Sequence, residues 1–153
     1  MARCKNKYKL PLKKKYIVQW SVKWSPAHVG DLKNSVDFMC QEGTPVYAAA
    51  SGRVIWIREN FNGYGSDKAY WFRRGNRIVI KHRNGEYTAY EHLAYKGVVV
   101  KEGQNVKKGQ LIGYSGNTGY SLFPHLHFEV FNNPSKDESE GVTLQVGFKE
   151  LKH

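Results

Sequence analysis

Two stretches of this chain open alike: Glu42-Gly43-Thr44-Pro45-Val46 and Glu102-Gly103-Gln104-Asn105-Val106. Each is followed by a glycine ahead of an aliphatic pair, Gly52 before Val54 and Ile55, Gly109 before Leu111 and Ile112. Gly and Pro punctuating short apolar runs is the grammar of β-hairpins. An internal echo of that grammar implies two related β-hairpin units packed face to face, each supplying half of a small barrel-like sandwich of antiparallel strands. Fifteen glycines and ten tyrosines, with many Val and Ile, favour short strands and tight turns over long helices. The expected class is all-β, and 153 residues make one domain with a sizeable core.

Residues 16–20 read as a first strand and residues 36–40 as a second, with a polar loop through Ser25, Pro26, Ala27 and His28 between them. Residues 53–57 and 77–82 read as strands joined by the long loop 58–76. That loop carries Phe61, Tyr64, Tyr70, Trp71 and Phe72, which suits a groove wall or a hairpin folded over its own aromatics. Residues 86–92 alternate like a strand and deliver His92 at its end. After the acidic loop 132–141, residues 142–148 return as a closing strand.

Chemistry concentrates in His125-Leu126-His127-Phe128-Glu129. If residues 123–130 are extended, side chains alternate, so His125, His127 and Glu129 share one face while Leu126, Phe128 and Val130 bury the other. Two imidazoles on one face can bind a metal, divide metal binding from proton transfer, or sit hydrogen-bonded in a barrel wall.

The net charge of +11 points to a polyanion, but its distribution is uneven: Arg3, Lys5, Lys7, Lys9, Lys13, Lys14 and Lys15 supply seven of those charges with no acid among residues 1–15. The chain therefore divides into a basic arm, 1–15, and a single domain, 16–153. A flexible arm of this kind docks on an anionic surface such as a cell-wall polymer, or stays solvated. No nucleic-acid motif accompanies the charge, so specific nucleic-acid binding is not expected. Cys4 and Cys40 have neither the number nor the spacing of a disulfide framework or thiolate zinc site. No apolar run is long enough to span a membrane, and the basic start lacks a following apolar signal region.

Several segments, in order, resemble the zinc endopeptidases of the LytM and lysostaphin type, which cut peptidoglycan peptides. They are Val36 to Phe38, Gly43 to Gly52, Tyr90-Glu91-His92-Leu93, Gly103 to Gln110, Gly113 to Gly119 and Pro124-His125-Leu126-His127-Phe128-Glu129, spanning about residues 28–131. The resemblance implies that Asp37 and His127 hold zinc and that His92 and His125 handle protons and developing charge. The family's commonest pattern places its first histidine four residues before the aspartate, where this chain has Lys33, and an ammonium has no lone pair to give. His28, nine residues before Asp37, resembles the longer-spaced loop of some branches and is assigned as the third ligand.

Two imidazoles and one carboxylate leave an open position and net positive charge on such a zinc, which lowers the pKa of water and polarises a peptide carbonyl. Glu129 shares the histidines' face and can orient one of them. Asn117 and Thr118, in the Gly116-Asn117-Thr118-Gly119 turn, read as one wall of the substrate groove, with Tyr64 or Tyr70 of the aromatic loop on the other. His82 reads as structural or groove-lining, and His153 as uninformative.

The reading implied is a monomeric, extracellular or wall-associated zinc endopeptidase lacking a signal peptide as written, either a mature fragment or a phage-type lysin. Its rival is an inactive relative that binds wall or a protein partner and regulates another hydrolase. The paired hairpins also resemble lipoyl, biotinyl and phosphocarrier domains, with Lys107 and Lys108 at a hairpin tip. Neither carrier reading accounts for Asp37 together with His125 to Glu129.

Overall fold

The computed structural model describes residues 2–22 and 28–151. In chain order the strands are β1 (Gln19–Ser21), β2 (Val36–Met39), β3 (Pro45–Tyr47), β4 (Gly52–Arg58), β5 (Tyr64–Gly65) and β6 (Asn76–Lys81). They continue with β7 (Tyr87–Val98), β8 (Asn105–Val106), β9 (Leu111–Ser115), β10 (Gly119–Tyr120), β11 (His125–Asn132) and β12 (Val142–Leu144). One helical turn, α1 (Lys68–Trp71), interrupts the aromatic loop.

Most strands join one antiparallel sheet in the order β1-β2-β11-β7-β6-β4-β8, with β12 added on β11, β9 on the far half of β7, and β3 on β9. The short strands β5 and β10 pair in parallel apart from it. The class is all-β, as the composition implies.

The echoed segments are β3–β4 and β8–β9, and they pair reciprocally. β3 lies against β9, with Val46 opposite Gly113, while β4 lies against β8, with Gly52 opposite Val106. Each unit's first strand thus meets the other's second. Gly43 and Gly103 open the two units with φ of +82° and +87°, a conformation that a side chain disfavours.

The central strands segregate by period two. Leu126, Phe128 and Val130 face the main core, where Phe128 lies 6.5 Å from Phe38, 5.4 Å from Tyr90 and 5.8 Å from Phe148, ring to ring. Tyr90 is fully buried, and its hydroxyl accepts a hydrogen bond from the Ala49 amide at 2.9 Å, so the one polar atom it brings inside is satisfied.

The basic N-terminal segment is not a loose arm. Tyr8, Leu10 and Leu12 are buried in the main core, and the Glu86 carboxylate accepts from the amides of Lys5 and Asn6 and from the Tyr8 hydroxyl. The charge run hides an inward apolar alternation, and burying those three side chains outweighs solvating the segment.

Other boundaries move too. The first strand is Gln19–Ser21, preceded by a 3₁₀ turn over Lys14–Tyr16, and β7 runs well past His92, which lies inside it. The closing strand is only Val142–Leu144. Of the polar loop expected before His28, Ser25, Pro26 and Ala27 lie outside the described residues, as does His153.

Candidate metal centre and cleft

Strand register assembles the site. Asp37 on β2 stands opposite His127 on β11, which stands opposite Glu91 on β7. Glu91 in turn faces Arg77 on β6, and Arg77 faces Arg58 on β4. Residues directly opposite in an antiparallel ladder point to the same side, so this row lies on the face away from the Phe128 core.

At one end of the row three donors converge. Oδ1 of Asp37 is 3.2 Å from Nε2 of His28 and 3.2 Å from Nδ1 of His127, and those two nitrogens are 3.4 Å apart. All three residues are buried. The other ring nitrogens define the tautomers, because their partners can only accept. His28 donates from Nδ1 to the Val22 carbonyl at 2.8 Å, and His127 donates from Nε2 to the Glu129 carboxylate at 3.0 Å. Both remaining ring nitrogens face the buried Oδ1 of Asp37, and each can share a proton with it or turn a lone pair to a cation held beside it. Burial raises the Asp37 pKa, but the His127 and His28 imidazoles hold it well below the ordinary carboxylate range. Burial lowers that of His127, yet the carboxylates of Asp37 and Glu129 raise it to about 10. The centre of this cluster stabilises positive charge.

Lys33, at the commoner family position for the first histidine, is exposed and outside this cluster.

Glu129 is a buried carboxylate held between His127 and Arg77, whose Nη1 lies 3.3 Å away. Burial raises its pKa, but Arg77 and His127 bring it down to about 2. Arg77 also donates to Glu91 at 3.0 Å and, from Nε and Nη2, to the Ser139 carbonyl. A chain of alternating charge thus runs from Arg77 through Glu129 to His127.

His92 and His125 stand beside the cluster, with ring centroids 4.5 Å apart. His92 donates from Nδ1 to the Thr118 carbonyl at 2.6 Å, and His125 from Nδ1 to the Phe123 carbonyl at 2.8 Å. Each keeps Nε2 as a lone pair; that of His125 is 3.7 Å from Asp37 Oδ1. Burial, with the facing His125, lowers the His92 pKa to about 3, and burial lowers that of His125. Both rings are neutral at physiological pH. His92 has φ of +65° inside β7, a conformation costing a non-glycine residue about 1–3 kcal/mol and typical of functional positions.

These groups open on a cleft of about 310 Å³ whose apolar lining includes Trp56, Phe72, Tyr120, Leu122 and Phe123. Four residues expected in its walls are elsewhere. Tyr64 and Tyr70 are more than half exposed and do not line the cleft, and Tyr70 packs on Trp71 and Arg74 instead. The aromatic loop largely folds on itself, with Trp71 seated against Gly63 and Gly65.

Asn117 and Thr118 are buried and turned inward. The Thr118 hydroxyl donates to the Leu93 carbonyl and accepts from the Asn76 amide, while Asn117 accepts from Ser121, whose Oγ lies 3.2 Å from His125 Nδ1. A Cβ at Gly116 would come within 2.7 Å of Ala94, and one at Gly119 within 2.6 Å of Gly75. The glycines of this turn admit the protein's own backbone, and the turn positions His92 and His125. His82 is buried away from the cleft, between the Ser51 carbonyl and the Thr88 hydroxyl.

Arg58, Arg77, Glu91 and Ser121 were not singled out by sequence reasoning. The interleaving of Arg77 and Glu91 within apolar strands was the available signal, since a charge on an inward strand position needs a partner.

Comparison with known proteins places the chain in a class and then in a family. A three-donor His/Asp cluster beside two neutral histidines, on an all-β sheet, is the arrangement of a metallopeptidase, and the profile of peptidase family M23 matches residues 31–138. The chain belongs to that family. It is 42% identical over 97 residues to the peptidoglycan DD-endopeptidase ShyA of Vibrio cholerae, covering 63% of this chain and 20% of that protein. A zinc-containing peptidase from Vibrio cholerae superposes with a TM-score of 0.59 at 34% identity, covering 82% of this chain and 36% of that one. The lysostaphin catalytic domain from Staphylococcus simulans does so with a TM-score of 0.53 at 36% identity, covering 71% and 74%. The chain spans 18% to 37% of the length of the curated relatives it matches. Among the described residues no helix is long and apolar enough to cross a membrane.

Proposed function

We propose that this chain is a zinc-dependent endopeptidase that hydrolyses peptide bonds in the stem or cross-bridge peptides of peptidoglycan, at the cell wall. The observation that carries the reading is the convergence of two imidazole nitrogens and one carboxylate oxygen, all buried, on a single point. A tetrahedral ion with ligands at about 2.0–2.1 Å sets them about 3.3–3.4 Å apart, and the spacings of 3.2, 3.2 and 3.4 Å fit that requirement. His28, Asp37 and His127 would hold the ion. Zinc there would supply Lewis acidity toward the peptide carbonyl and make water a nucleophile near neutral pH.

The chain's own residues do the rest. His92 and His125, neutral and fixed through Nδ1, offer Nε2 to take the proton from the attacking water and return it to the departing amine as the C–N bond breaks. As imidazolium, the same rings stabilise the negative charge developing on the carbonyl oxygen. The apolar walls at Phe72 and Phe123 hold the peptide and exclude bulk water.

Incubation with purified peptidoglycan tests this. The account expects release of new amino termini, arrest by a chelator, recovery with zinc, and no release by His127→Ala. A folded chain that takes up no zinc and cleaves no peptidoglycan is a non-catalytic binding domain, and the proposal fails.

A further inference from the structure

Arg58, Arg73 and Arg77 all line the cleft, but they are not equally answered. Arg73 meets the Glu140 carboxylate through both terminal nitrogens, at 3.2 and 3.0 Å. Arg77 is buried and donates to Glu91, Glu129 and the Ser139 carbonyl. Arg58 is placed as firmly and satisfied less. Its Nε donates to the Gly75 carbonyl at 2.6 Å, and its guanidinium carbon lies 5.1 Å from the Trp56 ring centre and 5.7 Å from that of Phe61. Phe61 is itself fixed by two hydrogen bonds with Asn76. Nη2 of Arg58 comes only to 3.6 Å from Glu91 Oε1, too long for a hydrogen bond, and Nη1 makes none among the described residues.

Electrostatics separates the same three. The Glu140 carboxylate raises the Arg73 pKa, and although burial lowers that of Arg77, Glu129 and Glu91 carry it above its ordinary value. Burial lowers the Arg58 pKa and Glu91 does not make up the loss, to which Arg77 and Arg73 add. The other acids beside the cleft are engaged elsewhere: Glu129 with Arg77 and His127, Glu140 with Arg73, and Asp137 with the hydroxyls of Ser135 and Ser139. A half-buried cation, fixed in place and short of acceptors, is a receptor for an anion.

We infer that Arg58 receives a carboxylate of the peptide substrate, donating to it from Nη1 and Nη2 while the Gly75 carbonyl and the two aromatic rings hold the guanidinium plane. The identity of the ligand rests on the proposed peptidase activity. Two parallel N–H groups fix the orientation of a carboxylate as well as its charge. Glu91 sets the reach. It lies 3.6 Å from Arg58, and one of its oxygens is within 4.8 Å of a His127 ring nitrogen, so the guanidinium stands within roughly three residues of extended peptide from the metal centre. Anchoring a carboxylate there sets the register of the peptide and brings the scissile carbonyl to the His28, Asp37 and His127 cluster.

The test uses the full chain supplied with zinc and a short soluble cross-linked stem-peptide dimer in three forms: carboxyls free, internal carboxyls amidated, and C-terminal carboxyls amidated. Cleavage is measured on wild type, and binding on His125→Ala, which keeps the cleft without the proton-transfer pair. The account predicts that at least one amidation lowers both kcat/KM and affinity about 10–100-fold, which identifies the carboxylate that Arg58 receives. Arg58→Gln should bring the free-carboxyl form down to the level of that amidated form, through KM more than kcat, so that their ratio falls to about 1. Arg58→Lys, which keeps the charge, should restore part of the ratio. An Arg58 that only braced Gly75 would slow all three forms alike and leave the ratio intact. Equal binding of all forms, no binding of any, or a preference that survives in Arg58→Gln overturns the inference. Discrimination in binding without cleavage by wild type would leave the carboxylate site standing and overturn the peptidase reading instead.

Discussion

The two faces of β11 share a backbone and almost nothing else. On one, Leu126, Phe128 and Val130 lie among Phe38, Tyr90 and Phe148. On the other, His125, His127 and Glu129 lie among Asp37, His92 and Arg77, and are nearly as inaccessible. Both faces are closed to solvent, so burial does not distinguish them; partners do. The apolar face needs only matching shapes, whereas every group on the polar face must be answered by charge or hydrogen bond. Two carboxylate oxygens on it lack a hydrogen bond, Glu129 Oε2 and Asp37 Oδ1, and the second is where the proposed ion would sit.

If the faces divide stability from chemistry, substitutions on neighbouring strand positions should fail differently. Phe128→Ala removes a ring from a close-packed core and should cost about 3–5 kcal/mol. In thermal melting that appears as a fall in Tm of roughly 6–20 °C. His125→Ala should leave the melting temperature nearly unchanged while reducing peptide hydrolysis about 10²–10⁴-fold. Equal loss of stability from both would erase the distinction.

A smaller effect sharpens the role of Glu129. It touches no substrate in this account and acts by fixing the His127 tautomer, so Glu129→Ala should weaken zinc affinity about 10–100-fold in a chelator competition. Glu129→Gln, which still accepts from Nε2, should lose less. No change in affinity for either would return Glu129 to a purely structural place beside Arg77.

The smallest effect concerns a histidine outside the cleft. Burial pushes the His82 pKa below its ordinary 6.5. The unfolded chain then takes up the proton first, so stability is full above about pH 6.5 and declines as pH falls below it. His82→Gln keeps a donor and an acceptor for Ser51 and Thr88, and should make Tm decline less steeply between about pH 7 and pH 5. A parallel decline in both proteins would assign the acid sensitivity elsewhere.

The sequence made the strand face at His125 to Glu129 and the paired hairpins legible, because both rest on local rules: period-two alternation and glycine at tight turns. His28 was legible only through resemblance, as no local pattern ties a loop residue to a strand nine positions away. The inward turn of Asn117 and Thr118 was not legible. The glycine pattern that lets a ligand approach is the same one that lets Gly75 and Ala94 approach, and only tertiary packing chooses between them. The N-terminal segment misled for a related reason. Its seven positive charges dominate composition, while the three apolar side chains that anchor it are evident only once a core exists to receive them.

The central claim is that His28, Asp37 and His127 together make a zinc site. Metal analysis of the purified protein, with zinc affinity measured for wild type, His28→Ala and Asp37→Asn, tests it most directly. The account predicts one zinc per chain in wild type and severe loss of affinity in both variants, with folding preserved. Zinc bound undiminished by His28→Ala, or no zinc bound by wild type, would contradict it.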